Sequence, residues 1–242
     1  MINYIVGIMN NNNNNQILTI GKTVQKCTRR EVPSDETMNG KYCYIEKLDV
    51  EKHAENLFNA YSIDFDNQDW TYLPYGPFKT KNEFIDWLNR ECISENPLFH
   101  TIIDKKNNKP VGMASFLRIN PKYGVIEVGH IHYSPLMQQQ PIGTEAMYLM
   151  MKRVFDELCY RRYEWKCDSL NKRSCNSALR FGFKFEGIFK QHMVYKGRNR
   201  DTAWFSIIDK DWLQIKNIYE KWLDKENFND DGSQKTSLRS LM

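Results

Sequence analysis

The residues best suited to chemistry lie between Gly124 and Gly187. The loop Ser134-Pro135-Leu136-Met137-Gln138-Gln139-Gln140-Pro141-Ile142-Gly143-Thr144 precedes a run with helical spacing. A loop that opens a helix exposes unpaired N–H groups and the positive end of the helix dipole, so phosphate can bind there without a charged side chain. Gly143 lets backbone approach a ligand closely; a plain connection with Thr144 starting the helix is the other reading. Asn171 and Ser174 follow the next strand directly. Both residue types favour Asx-turns and helix N-caps, and both can hydrogen-bond a ligand. Glu127, His130 and His132 share one strand. In a regular strand His130 and His132 share a face and Glu127 points to the other, while a bulge would change the faces beyond it. Histidine is the residue type whose ordinary pKa suits proton transfer near neutrality, which points to His132; a partly buried strand histidine is the alternative.

These groups need a scaffold. Met147, Met150, Met151, Val154, Phe155 and Leu158 repeat with the spacing of a helix packed on a sheet, over Glu145 to Leu158. Val125 to Tyr133 before it reads as a strand. After it, Tyr163, Trp165 and Cys167 alternate with Glu164, Lys166 and Asp168, a strand with one wetter face. Two strands joined by such a helix should lie parallel with a right-handed crossover. Upstream, Tyr42 to Leu48 reads as a strand, and Val50 to Tyr61 and Lys81 to Cys92 as helices. Phe99 to Asp104 and Val111 to Ile119 read as a hairpin. Downstream come a short helix, Ser174 to Phe181, stopped at Gly182, and an antiparallel pair, Ile188 to Tyr195 and Thr202 to Asp209, around Lys196-Gly197-Arg198-Asn199-Arg200. Trp212 to Leu223 is a final helix. The sum is an α/β chain, a mixed sheet with helices on its faces.

The chain has 242 residues, 41% of them apolar, enough for one sizeable core. Three segments are expected: an N-terminal arm, 1–39, with a disordered tract at Asn10 to Asn15; a folded domain, 40–223; and a polar, flexible tail, 224–242. With 34 basic and 30 acidic residues the net charge is only +4, which gives no reason to expect nucleic acid or an anionic membrane as partner. No apolar run reaches the length of a membrane span, and Met1 to Met9 lacks the features of a signal peptide. The six cysteines form no CxxC pair and no Cys/His cluster has zinc spacing, so free thiols, no metal site and a cytoplasmic location are expected.

Four segments together resemble the acetyl-CoA site of the GNAT superfamily of N-acetyltransferases: Ile126-Glu127-Val128-Gly129-His130, Gln138-x-x-Pro141-x-Gly143, Asn171-x-x-Ser174, and Ala178-Leu179-Arg180-Phe181-Gly182-Phe183-x-x-Glu186-Gly187. Within it the chain is similar to the branch of ribosomal-protein N-terminal acetyltransferases (RimJ/RimL-like). The resemblance spans roughly Tyr42 to Trp212. It implies a mixed, mostly antiparallel sheet with a central splayed parallel pair, and acetyl-CoA as cosubstrate. It further implies that backbone at Gly129, His130 and Ile131 pairs with the pantetheine and polarises the thioester. Gln138, Gln139, Gln140, Ile142, Gly143 and Thr144 would surround the pyrophosphate, and Asn171 would hold the pantetheine arm or the acceptor side. Ser174 matches the proton donor to the leaving thiolate, with Glu127 and His132 as candidate bases. Trp70, Tyr72, Tyr75 and Phe78 stand where similar enzymes line the acceptor site; hydrophobic cover for the sheet edge is the other reading of these rings.

The sequence departs from the family pattern twice. Pro141 replaces a glycine and removes one N–H donor. Met193, in Lys190-Gln191-His192-Met193-Val194-Tyr195, stands where some relatives place a glutamate; His192 could replace it only if the strand were rotated. The expected activity is acetyl transfer to a primary amine, a protein N-terminus or a small molecule, by direct attack in a ternary complex. The alternative is a GNAT-shaped module that holds acyl-CoA or a protein partner without chemistry.

Overall fold

The computed structural model describes residues 19–24 and 30–242. The Asn10 to Asn15 tract and Cys27 lie outside them. Eight strands form one sheet: β1 (Met38–Asn39), β2 (Cys43–Lys47), β3 (Leu98–Asp104), β4 (Lys109–Asn120), β5 (Val125–Tyr133), β6 (Arg162–Asp168), β7 (Lys184–Tyr195) and β8 (Arg198–Ile208). Their spatial order is β1-β2-β3-β4-β5-β6-β8-β7. Among the described residues only β5 and β6 pair in parallel, and the other neighbours in this sheet are antiparallel.

Helices cover both faces. α1 (Val50–Tyr61) and α2 (Lys81–Glu91) lie on one face, where Leu57, Tyr61, Phe84 and Trp87 pack on Phe99 and Met113. α3 (Pro141–Lys152) and α5 (Asp209–Trp222) belong to the larger core on the opposite face, with Ile126, Val128, Tyr163 and Trp165. The remaining helices are α4 (Lys172–Arg180) and α6 (Leu238–Leu241). Local chemistry sets the ends. Asp49 caps α1 by accepting from the Lys52 N–H, and Thr80 caps α2 by accepting from the Glu83 N–H. Gly182 takes φ +92 just past α4, as a helix-stopping glycine does. The β7–β8 connection is tighter than the sequence implies, because Lys196 (φ 48) and Gly197 (φ 70) supply the two left-handed positions of a two-residue hairpin turn.

Two sequence expectations need correction. The tail is not loose: Phe228 bridges to Gln234, the Trp222 indole donates to Gln234, and Leu238 is fully buried. A few apolar residues among many polar ones suffice to dock it on the larger core. The alternating face of β6 is not wet either. Glu164, Lys166 and Asp168 do share a face, but Glu164 and Asp168 are buried. Lys166 Nζ meets both Glu127 and Glu164 at 2.7 Å, and Arg162 continues the chain to Glu164 and Glu186. Charge neutralisation replaces water along that face.

Candidate active site

Register shows where the sheet opens. β5 and β6 pair from Val125↔Arg162 to Val128↔Trp165 and no further. Beyond that point β5 stays with β4, as far as Gly112↔Tyr133, and β6 stays with β8, as far as Asp168↔Thr202. Each strand leaves with its own antiparallel partner, so a cleft of ≈ 850 Å³ opens between them. Its lining includes Glu127, Gly129, His130, Ile131 and His132 on one wall, and Lys166, Cys167, Asn171 and Ser174 on the other.

A bulge shapes the first wall. Ser115 pairs with Gly129 and Met113 with His132, so His130 and Ile131 together oppose Ala114. His130 adopts φ 50, in the left-handed region, at this bulge. The extra residue shifts all side chains beyond it by one place. Ile131 and Tyr133 pack into the larger core, and His132 turns to the face of Glu127, against Tyr61 and Trp70.

The N-terminus of α3 flanks this wall. Gln140 is the N-cap residue but its side chain makes no capping bond, and Pro141 occupies the first turn, where its missing N–H costs nothing. Helix geometry leaves the Ile142 and Gly143 N–H groups without an intrahelical acceptor. No acidic residue lies in the first turn of α3, whereas α5, also uncapped, has Asp209 and Asp211 there. The start of α3 thus carries the donors and field for a diphosphate. The side chains behave differently from the sequence expectation. Gln138 and Gln139 line the cleft; Gln140, Ile142, Gly143 and Thr144 do not. The space a Cβ on Gly143 would fill is taken by the Tyr133 ring, 3.3 Å away, and Thr144 Oγ1 accepts from Arg180 at 3.0 Å.

On the far wall Asn171 caps α4 by accepting from the Ser174 N–H at 3.0 Å. That leaves the Ser174 hydroxyl free of capping duty, and it accepts from the Trp165 indole at 3.0 Å instead. Cys167 lines the cleft beside it, which the sequence did not indicate. Burial pushes that thiol up to about 12, which disfavours the thiolate and makes Cys167 a poor acyl carrier.

The bases suggested by sequence are placed poorly for that work. His132 lies flat on Tyr61, ring centroids 3.8 Å apart, and burial lowers its pKa to about 3. His130 packs on Tyr75 and Phe99, and burial lowers it to about 4. His130 is half-buried and His132 buried at the cleft wall, and burial makes each a weak base, so the proton-accepting role expected of His132 finds no support in its packing. Glu127 is buried with one oxygen on Arg118 and the other on Lys166, each at 2.7 Å. The aromatic loop divides in the same way. Tyr72 lines the cleft and donates to the Leu170 carbonyl at 3.2 Å. Trp70, Tyr75 and Phe78 belong to the core under α1 and α2 rather than to an acceptor clamp, because their rings find one another and Trp87 there. Asp69, unremarked in the sequence, accepts from Gln138 at 2.7 Å and from Arg173 at 3.1 Å, tying the loop to both walls.

Comparison with known proteins agrees with this geometry. Residues 55–183, more than half of the chain, match the model of the acetyltransferase (GNAT) family. The chain belongs to that family. A GCN5-related N-acetyltransferase from Brucella melitensis is 46% identical with a TM-score of 0.88, over 90% of this chain and 99% of that one. A GNAT-family protein from Chromobacterium violaceum ATCC 12472 is 34% identical with a TM-score of 0.75, over 81% and 98%. The microcin C7 self immunity acetyltransferase MccE, solved in complex with acetyl-CoA and AMP, shares the fold at 21% identity and a TM-score of 0.61, over 70% and 93%. No curated protein matches the chain.

One GNAT wall element was hidden in the sequence. β7 pairs Phe189 with Thr202 and then Met193 with Arg200, so Lys190, Gln191 and His192 together oppose Asp201. Gln191 takes φ 52 in this irregular stretch. As a result both His192 and Met193 line the cleft, with Arg200 and Thr202 behind them. The strand is locally rotated, which a strict alternation of side chains cannot reveal.

Proposed function

We propose that this protein is an N-acetyltransferase that moves the acetyl group of acetyl-CoA to a primary amine, either a protein N-terminus or a small molecule, by direct attack in a ternary complex. The observation that supports this most is the parting of β5 and β6 after Val128 and Trp165, beside an α3 N-terminus with no side-chain cap and no acidic first turn. The Ile142 and Gly143 amides would take the diphosphate, and backbone from Gly129 to Ile131 would hold the pantetheine and polarise the carbonyl. Ser174, held from behind by Trp165, has its own O–H to give to the departing sulfur. Direct attack is favoured over an acyl-enzyme because burial of the cleft cysteine, Cys167, disfavours its thiolate. We place the protein in the RimJ/RimL-like branch on the motif resemblance, and in the cytoplasm.

Initial-rate kinetics test this reading. Double-reciprocal plots with acetyl-CoA and amine varied should intersect, and Cys167→Ser should keep the pattern. Parallel lines that vanish in Cys167→Ser would instead establish a covalent carrier.

A further inference from the structure

Direct attack needs a group that takes a proton from the amine. The cleft holds three carboxylates, and each is committed. Glu127 is bound by Arg118 and Lys166, Asp69 by Gln138 and Arg173, and Asp168 by the Tyr195 hydroxyl and the Leu170 N–H. It also holds three imidazoles, His130, His132 and His192. The first two are packed among aromatic rings, while His192 is exposed.

We propose that His192 is the catalytic base, set in the cleft by the three-against-one irregularity of β7 and oriented by Thr202. This rests on the acetyl-transfer reading above. His192 Nδ1 lies 3.0 Å from Thr202 Oγ1, a buried hydroxyl on the strand that pairs with β6. Arg200 Nε donates to the same oxygen at 3.1 Å. In the tautomer that the base role requires, Nδ1–H donates to Thr202 and the lone pair of Nε2 is free; Nε2 has no hydrogen-bond partner among the described residues. Thr202, Trp204 and Lys166 share the face of Glu127, so His192 stands on that face. Ser174 bonds Trp165, whose ring lies in the larger core on the opposite face. Base and acid therefore flank the gap between β5 and β6 from its two sides.

The step balances without any further reactant. The amine nitrogen bonds to the acetyl carbon, the C–S bond breaks, the amine proton goes to His192 Nε2 and on to water, and Ser174 gives its proton to the sulfur and regains one from water, so that no net proton is released. The charged groups around His192 are Arg200 and Asp201 of β8, Lys190 of its own strand, and Lys166 and Asp168 of β6 across Trp204 and Thr202.

The test compares wild type with His192→Gln and His192→Ala, using acetyl-CoA and the best amine found for the wild type. Removing a general base is expected to lower kcat/KM about 100-fold near neutral pH. The acid limb of the wild-type profile should disappear in both variants, and added imidazole should restore part of the rate in His192→Ala. Calorimetric affinity for CoA should stay within about 2-fold, which separates lost chemistry from lost folding. A His192→Gln enzyme that keeps both its rate and the acid limb would overturn the assignment and leave acetyl transfer standing. A wild type inert toward every amine would overturn the transfer reading and this one with it.

Discussion

The Trp165 indole N–H donates to the Ser174 hydroxyl at 3.0 Å, from the strand that forms one side of the opened pair to the helix that closes it. An indole only donates, so it fills one lone pair of Ser174 and leaves the hydroxyl hydrogen to point elsewhere. Asn171 caps the helix in its place. Loss of the hydroxyl should therefore affect turnover and, by leaving the Trp165 indole unpaired, stability, but not the helix cap.

Ser174→Ala is expected to lower kcat about 10- to 100-fold, at the weak end of general acid catalysis. CoA affinity by calorimetry should barely change, since the cap remains, while the melting temperature should fall by a few degrees, because the buried Trp165 indole loses its acceptor, at a cost of about 1–3 kcal/mol. An unchanged kcat would remove Ser174 from the chemistry.

Three histidines, His100 and His132 buried and His130 half-buried, predict a steep acid dependence of stability. His100 and His130 are lowered to about 4 and His132 to about 3, in each case mainly by burial. Below an ordinary pKa of about 6.5 the unfolded chain takes up protons that the folded chain refuses. Stability is thus full above that pH and falls as pH drops toward 4, by up to about 1.4 kcal/mol per pH unit for each histidine. Melting curves from pH 7.5 to 4.5 check this. His132→Phe, which keeps a ring against Tyr61, should flatten the dependence while the acid limb of kcat/KM persists.

Glu127 anchors the ion-pair chain rather than standing free. Glu127→Gln leaves Lys166, itself almost fully buried, with one fewer anion. Breaking one partner of a buried pair costs about 3 kcal/mol, which chemical denaturation would read. Lys166→Met added to Glu127→Gln should recover part of that loss; a double variant as unstable as the sum of the singles would contradict the pairing.

Gly40 and Glu145 make a support that the sequence concealed. Glu145 is buried, and its carboxylate accepts from the backbone N–H groups of Lys41, Tyr42 and Cys43 at 2.6, 2.6 and 2.8 Å. A Cβ on Gly40 would sit 2.4 Å from that carboxylate carbon. Gly40→Ala should lose about 2 kcal/mol or more by displacing charge-assisted hydrogen bonds, seen as a lower melting temperature. A neutral result would mean that the turn can move aside.

Legibility followed the range of the interaction. α1 was readable because Leu57 and Tyr61 recur with helical period, and the parallel pair because a long amphipathic run lies between two strands. Composition could not divide the aromatic loop, since Tyr72 in the cleft and Trp70 in the core are chemically alike and differ only in tertiary contacts. The bulges at His130 and at Gln191 depend on which residue the partner strand presents, so they cannot be placed from local pattern. They decide which histidine meets solvent and which is entombed. Glu145 looked like one more polar position near a helix start until the distant turn at Gly40 was brought to it.

The central claim is that the parted strands bring a thioester to an amine. It is tested most directly by following free thiol released from acetyl-CoA as amine is titrated, with the amine product weighed by mass spectrometry. The account predicts saturable, amine-dependent release with one acetylated amine per thiol. Tight CoA binding with no amine-dependent release, across N-terminal peptides and small amines alike, would contradict it.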